Sequence, residues 1–273
     1  MTEKSEFVIQ DLSQLLLDKS PKGILILEGN TDSNKASEDS GRKLKMKLKN
    51  ILLTSAFVLS SAIFGGCATN SVEIKQANQY ILRGLQYNPN PVVQVTVTTK
   101  NNFKGIDASI TGFANSNLEK KEVDETDAWG ELGKDTSLGY FFWGVSYIDS
   151  PVNLFPPTHE TYVGGVLPLP LNPVVLAVRD LRANEGTYLE TSLKNPISIG
   201  KLTLTPKVTF ARNDGYGITG IQNHVEGSIN LTIPIEDNVS FEATANKVHN
   251  LSEPLSKSVG DLDYNTFGLK IEW

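Results

Sequence analysis

Tyr264–Trp273, which reads YNTFGLKIEW, decides the fold. Phe267, Leu269, Ile271 and Trp273 fall on alternate positions, while Tyr264, Thr266, Lys270 and Glu272 take the other side. A side-chain period of two marks a strand with one apolar and one polar face. A strand of this kind that ends on an aromatic residue is how outer-membrane β-barrels commonly close, because lipid-facing and lumen-facing residues alternate along every strand. A half-buried strand of a soluble sheet alternates as well, so the rest of the chain must separate the two architectures.

Three segments upstream repeat the pattern. Leu202, Leu204, Val208 and Phe210 oppose Lys201, Thr203, Thr205, Lys207 and Thr209. Val225, Ile229, Leu231, Ile233 and Ile235 oppose Glu226, Ser228, Asn230 and Thr232, and Val239, Phe241, Ala243 and Ala245 oppose Ser240, Glu242, Thr244 and Asn246. These polar faces are rich in Thr, Ser and Asn with isolated charges, which suits a wet lumen. The strands are long enough for a tilted membrane span of about 9–11 residues. The reading is therefore an all-β, antiparallel up-and-down transmembrane barrel.

Candidate strands are 79–85, 92–99, 105–113, 127–132, 138–148, 159–167, 173–180, 187–193, 201–211, 225–235, 239–249 and 264–273, a count of twelve. Segment 127–132 is weak and 79–85 is also readable as a plug or a periplasmic segment, so ten is the alternative count; an even number is expected. Ser71 to Asn78 carries the one helix-like pattern of the mature chain. The longer loops, 115–126, 149–157, 213–222 and 250–261, are candidates for the extracellular side. Aromatic residues from Tyr140 to Tyr147, with Tyr162, Tyr188 and Trp273, are candidates for an interfacial girdle or for packing within the sheet.

Composition narrows the class. Hydrophobic residues make up 39% of the 273 positions and the mean hydropathy is -0.19, too polar for a bundle of membrane helices but compatible with a barrel. Lys and Arg number 25 against 31 Asp and Glu, so no basic stripe recommends nucleic acid. Around Met46 the run RKLKMKLKN precedes an apolar stretch from Ile51 to Phe64 and then Gly65, Gly66 and Cys67, the order of parts in an export signal. Phe64-Gly65-Gly66-Cys67 resembles a lipobox, which would make Cys67 a lipidated first residue; cleavage after Ala68 is the other reading. The chain thus divides into an extension over 1–45, a signal segment over 46–67 and a barrel over 79–273 in the bacterial outer membrane. Translation from Met46 would make the extension an artefact of the assigned start; a real extension is the alternative.

Candidate functional residues are charged groups that could face the lumen: Arg83, Glu160, Arg179, Asp180, Arg182 and Glu190. Charges in a narrow wet pore set its electrostatic barrier. The competing reading has Arg83 pair with an interior acid and plug the barrel, with Arg179, Asp180 and Arg182 in a solvated turn. His159, His224 and His249 stand apart without metal-ligand spacing. The single Cys67 excludes an internal disulfide. No Walker or dinucleotide loop calls for a cofactor, and the chain is read as no enzyme. The expected partners are outer-membrane lipids, the barrel assembly machinery and small solutes.

Tyr80-Ile-Leu-Arg83-Gly84-Leu85 followed by Asn88-Pro-Asn-Pro-Val-Val-Gln94 resembles the start of the TorF-type porin family. Gly105 to Asn115, Glu125-Thr-Asp127, Thr158 to Gly164, Asn172-Pro173 and Gly186 to Glu190 continue the likeness in order, shared loosely with MipA/OmpV-like barrels. The resemblance runs from Gln79 to Trp273 and implies an outer-membrane barrel with channel activity and no catalytic residue; a lipidated Cys67 would depart from the simple signal peptides usual there. Two other functions stand beside this one. One is a lipid-anchored soluble β-sandwich that binds a ligand or protein. The other is an outer-membrane lipid hydrolase built on His249, Ser252 and Glu253, since a serine nucleophile needs a base and the base an acid.

Overall fold

A computed structural model describes residues 68–150, 157–182, 185–216, 220–252 and 261–273. The chain divides into two units, Met1–Met46 and Lys47–Trp273, and all described residues lie in the second. Cys67 and both N-terminal segments fall outside the described residues.

Every regular element among the described residues is a strand. In chain order they are β1 (Thr69–Ala77), β2 (Tyr80–Leu82), β3 (Leu85–Asn88), β4 (Val92–Phe103), β5 (Ile106–Asn117), β6 (Glu122–Thr136), β7 (Gly139–Asp149) and β8 (Thr158–Val166). There follow β9 (Val174–Asp180), β10 (Thr187–Lys194), β11 (Ile197–Ile199), β12 (Leu202–Asp214), β13 (Ile221–Glu236), β14 (Val239–Asn250) and β15 (Leu262–Glu272). β1 pairs antiparallel with β4 on one side and β15 on the other, with Val72 opposite Val97 and Ile271. β10 pairs with β12, Leu193 facing Val208, and this contact returns the sheet to itself. Short β11 only pairs along β12, and β2–β3 form a separate hairpin. The remaining twelve strands make one closed antiparallel barrel. A sandwich of two packed sheets, one of the sequence alternatives, is thereby excluded.

Closure removes the unpaired edges that an open sheet would expose to lipid. The alternation then does what the sequence suggested. Ile110, Leu132, Trp143, Val145, Val163, Val175, Leu189, Val208, Phe210, Ile229 and Phe267 are exposed apolar residues on the outside. Their chain neighbours turn inward, so the inner face carries Thr, Ser, Asn and charged groups together with aromatic and apolar clusters around Tyr188 and Tyr80.

Two expectations are corrected by the register, and a third, the weak strand 127–132, is borne out. Ser71 to Ala77 is strand, not helix: Val72 and Ile74 alternate with Glu73 and Lys75 inside β1. The barrel accordingly begins ahead of Gln79, and 79–85 supplies no wall strand. The weak segment 127–132 is part of the fifteen-residue β6; its outward residues Ala128 and Gly130 are small, so the apolar face was faint in sequence. Tyr162 and Tyr188 leave the proposed girdle, because they pair in register with inward Gly144 and Val178. Tyr162 lies over Gly144, where an added Cβ would come within 2.2 Å of its ring.

The two barrel ends differ. Asn70 and Trp273 exchange backbone hydrogen bonds of 2.9 and 3.0 Å at one end, beside the tight turns 104–105, 137–138 and 237–238. At the opposite end lie the last residues of β7, β9, β12 and β14 and the turn 118–121, together with the connection 78–91 that carries the β2–β3 hairpin. The loop expected over 115–126 shrinks to 118–121, since β5 and β6 extend to Asn117 and from Glu122.

Candidate functional site

The β2–β3 hairpin turns into the lumen from the loop end. Its tip, Leu82-Arg83-Gly84-Leu85, has positive φ at both central residues, 53° at Arg83 and 77° at Gly84, the backbone of a type I′ hairpin turn. Gly84 is required twice over. Its φ suits glycine, and a Cβ there would sit 2.5 Å from the His224 ring.

The stem is fixed by apolar and polar contacts. Tyr80 packs with Ala77 and Val92, and Leu82, Tyr87 and Phe113 surround them. The Tyr80 hydroxyl donates to Glu125, and the Asn88 amide donates to Asp124, which also accepts from Asn115. Ser150 Oγ reaches Glu125 at 3.3 Å. The root is tied to β15, where Gln79 donates to the Asp263 carbonyl at 2.7 Å and Asn265 donates to Asn78 Oδ1 at 2.8 Å.

Arg83 carries the tip across the lumen to β8. Its two terminal nitrogens donate to the two oxygens of Glu160 at 2.7 and 3.0 Å, a bidentate fork. The guanidinium lies 4.3 Å from the Tyr216 ring centroid and 5.5 Å from that of Tyr188, within cation–π range of both. Ser146 Oγ donates to Glu160 at 2.8 Å, and the Tyr216 hydroxyl donates to it as well. Burial pushes the Tyr216 phenol well above its ordinary range, so the hydroxyl keeps its proton as a donor. Glu160 is 2% exposed. Arg83, half-buried, and Glu160, buried, therefore sit together in an aromatic-walled cage.

The other charges named from sequence separate by face. Asp180 points inward, is buried and accepts from Thr158. Glu190 also faces inward, where it accepts from Tyr188 at 3.1 Å and pairs with Lys207 at 3.6 Å. Arg179 is on the outward face and donates to Thr187 at 2.8 Å. Arg182 lies past the end of β9, its amide donating to Asp180 at 2.9 Å. Tyr216, Tyr188 and His224 complete the cage and were not named for it: a tyrosine in a glycine-rich loop and a histidine in an alternating strand give no sign of what they face.

Toward the terminal end the lumen stays polar. Lys75 bridges Glu73 and Glu242, and a cavity of about 290 Å³ lies among Thr69, Lys100, Asn102, Asp107, Glu131 and Tyr140. At the C-terminal strand Phe267, Leu269 and Ile271 alternate outward against inward Thr266, Gly268 and Lys270, in register with β14.

Groups named for the hydrolase alternative have other partners. His249 Nδ1 lies 2.7 Å from Asp261 on the outer side, and Ser252 Oγ accepts the Asn223 amide at 2.6 Å. Glu253 falls outside the described residues. No nucleophile–base pair is formed by these contacts.

No family model matches the chain, and no curated protein matches it. Among solved structures it is similar to the KdgM porin, with 9% identity over 74% of this chain and 98% of that chain, at a TM-score of 0.49. The NanC porin is similar at 9% identity over 75% and 98%, TM-score 0.47, and LpxR from Salmonella typhimurium at 11% over 74% and 99%, TM-score 0.41. The closed sheet, apolar exterior and polar lumen define a porin-like β-barrel.

Proposed function

We propose that this chain is a bacterial outer-membrane channel for small hydrophilic solutes, passive in mechanism and closed at its outer half by the β2–β3 hairpin. The observation that carries the reading is the combination of exposed apolar residues on the outward face of most wall strands with buried charged groups inside the barrel. An interior meant only to be a core would be filled with apolar groups, and a soluble barrel would not expose Trp143, Val163, Phe210 and Ile229 on the outside. The short turns support a periplasmic position for the other end, so that the hairpin enters from outside. The ordered motifs from Tyr80 onward support kinship with TorF-type porins, and the segment 46–67 supports export, with Cys67 as the lipidation site if the lipobox is used. In this location the barrel assembly machinery inserts it and outer-membrane lipids surround it.

The hairpin also favours a second reading, a closed barrel whose role is structural. Planar-bilayer recording of the purified full-length protein separates the two. The channel reading predicts stepwise openings from a mainly closed baseline. Silence from both the intact protein and a form lacking the hairpin would leave the structural role.

A further inference from the structure

The cage around Arg83 is more than a structural ion pair needs. It offers one carboxylate with both oxygens turned to a planar cation, an aromatic face at 4.3 Å and another at 5.5 Å. Ser146 on β7 and Tyr216 in the loop after β12 hold the carboxylate by its own oxygens, so Glu160 is not oriented by the arginine alone. A guanidinium is the group this geometry fits, because its flat fork matches a carboxylate and its weak hydration permits stacking. Arg83 reaches the cage from the β2–β3 hairpin, which is not part of the wall, so the group that fills the cage can leave without opening the barrel.

A second observation lies against the same cage. Tyr188, one of its walls, stacks on His224 with the rings 28° apart, and it faces Asn213 across β10 and β12. Asn213 is opposite Gln222 in the next pair of strands. These three side chains are 0%, 2% and 1% exposed for Asn213, Gln222 and His224. Asn213 Nδ2, both polar atoms of the Gln222 amide and both ring nitrogens of His224 have no hydrogen-bond partner in the described structure. A buried polar group left without a partner loses its water without replacement, so each of these atoms favours a ligand that would satisfy it. With Gly84 pressed onto the His224 ring, these groups line a polar patch that the resting hairpin covers without satisfying.

We propose that Glu160, Tyr216 and Tyr188 form a binding site for guanidinium-bearing solutes, that Arg83 occupies it as a tethered stand-in, and that Asn213, Gln222 and His224 supply the hydrogen bonds for the polar remainder of such a solute. The inference rests on the channel reading and gives it a substrate class. A solute guanidinium that takes the place of Arg83 frees the hairpin tip, so the ligand that binds is also the one that opens the outer half.

Methylguanidinium is the probe, and cleavage of the hairpin by chymotrypsin in the folded, detergent-solubilised barrel is the readout. In the wild-type protein, millimolar methylguanidinium is expected to raise cleavage between Tyr80 and Tyr87 several-fold in a saturable way. In Arg83→Ala, whose cage is empty, the same probe is expected to lower cleavage by refilling the cage, and Glu160→Gln is expected to abolish the response in that background. Equal responses to methylurea, or no response in either protein, would overturn the proposal. If Arg83→Ala does not fold, Arg83→Gln serves in its place, with heat-modifiable gel mobility as the check. The assay needs no conductance: a protein that binds the probe and never conducts defeats the channel reading alone, and one that conducts without responding defeats this one alone.

Discussion

Replacing Glu160 by leucine is expected to free the hairpin from the lumen while leaving the barrel closed. The substitution strands the Arg83 guanidinium in a cage with no anion at its fork. Removing one partner of a buried pair costs about 3–5 kcal/mol, because the remaining charge is neither solvated nor paired. The barrel itself is held by the backbone ladders of twelve strands, so the cost falls on hairpin docking. Proteolysis that tracks the open population should then rise on the order of 10²–10³-fold within Tyr80–Asn88. The double variant Arg83→Leu/Glu160→Leu is expected to recover most of the loss, since an apolar replacement of both partners leaves no orphan charge. A single variant as resistant as wild type would show that Tyr80, Tyr87 and Leu82 hold the hairpin without the latch.

Excising the hairpin is expected to have the largest effect on conduction. Ala77 and Val92 are directly opposite in the β1–β4 register, so residues 78–91 can be replaced by an Asn-Gly turn that joins the two strands as an ordinary hairpin. The removed segment includes no wall residue, and assembly of the barrel is expected to survive. Glu125, Glu160, Asp124 and His224, all buried beside the hairpin in the intact protein, then line open water. Single-channel recordings should show a steady open level where the intact protein shows brief steps. An excised barrel that folds and conducts no more than the intact one would mean that another part of the chain closes the lumen.

The fold was legible where a strand presents an apolar outer face against polar lumen residues, as in β12 to β15. It was faint where the outer face is made of small residues, as at Ala128 and Gly130, and it was misread at Ser71 to Ala77, whose two outward residues Val72 and Ile74 are too few to declare a period. The count of twelve survived because one segment, 79–85, stood in for β1. Of the site, Arg83 and Glu160 were both named, and pairing of Arg83 with an interior acid was one of the two readings offered. Their partnership spans 77 positions, and only barrel closure brings β8 opposite the hairpin tip. Alternation assigns a residue to a face but not a height along the barrel, so it could not tell which inward residues share a level.

The measurement that tests the account most directly is gel migration of the membrane-extracted protein with and without boiling, combined with urea extraction of the membranes. A closed transmembrane barrel predicts that the unboiled protein runs faster than the boiled one and stays in the membrane through urea. Identical migration, with release of a Cys67→Ala form by urea, would contradict it.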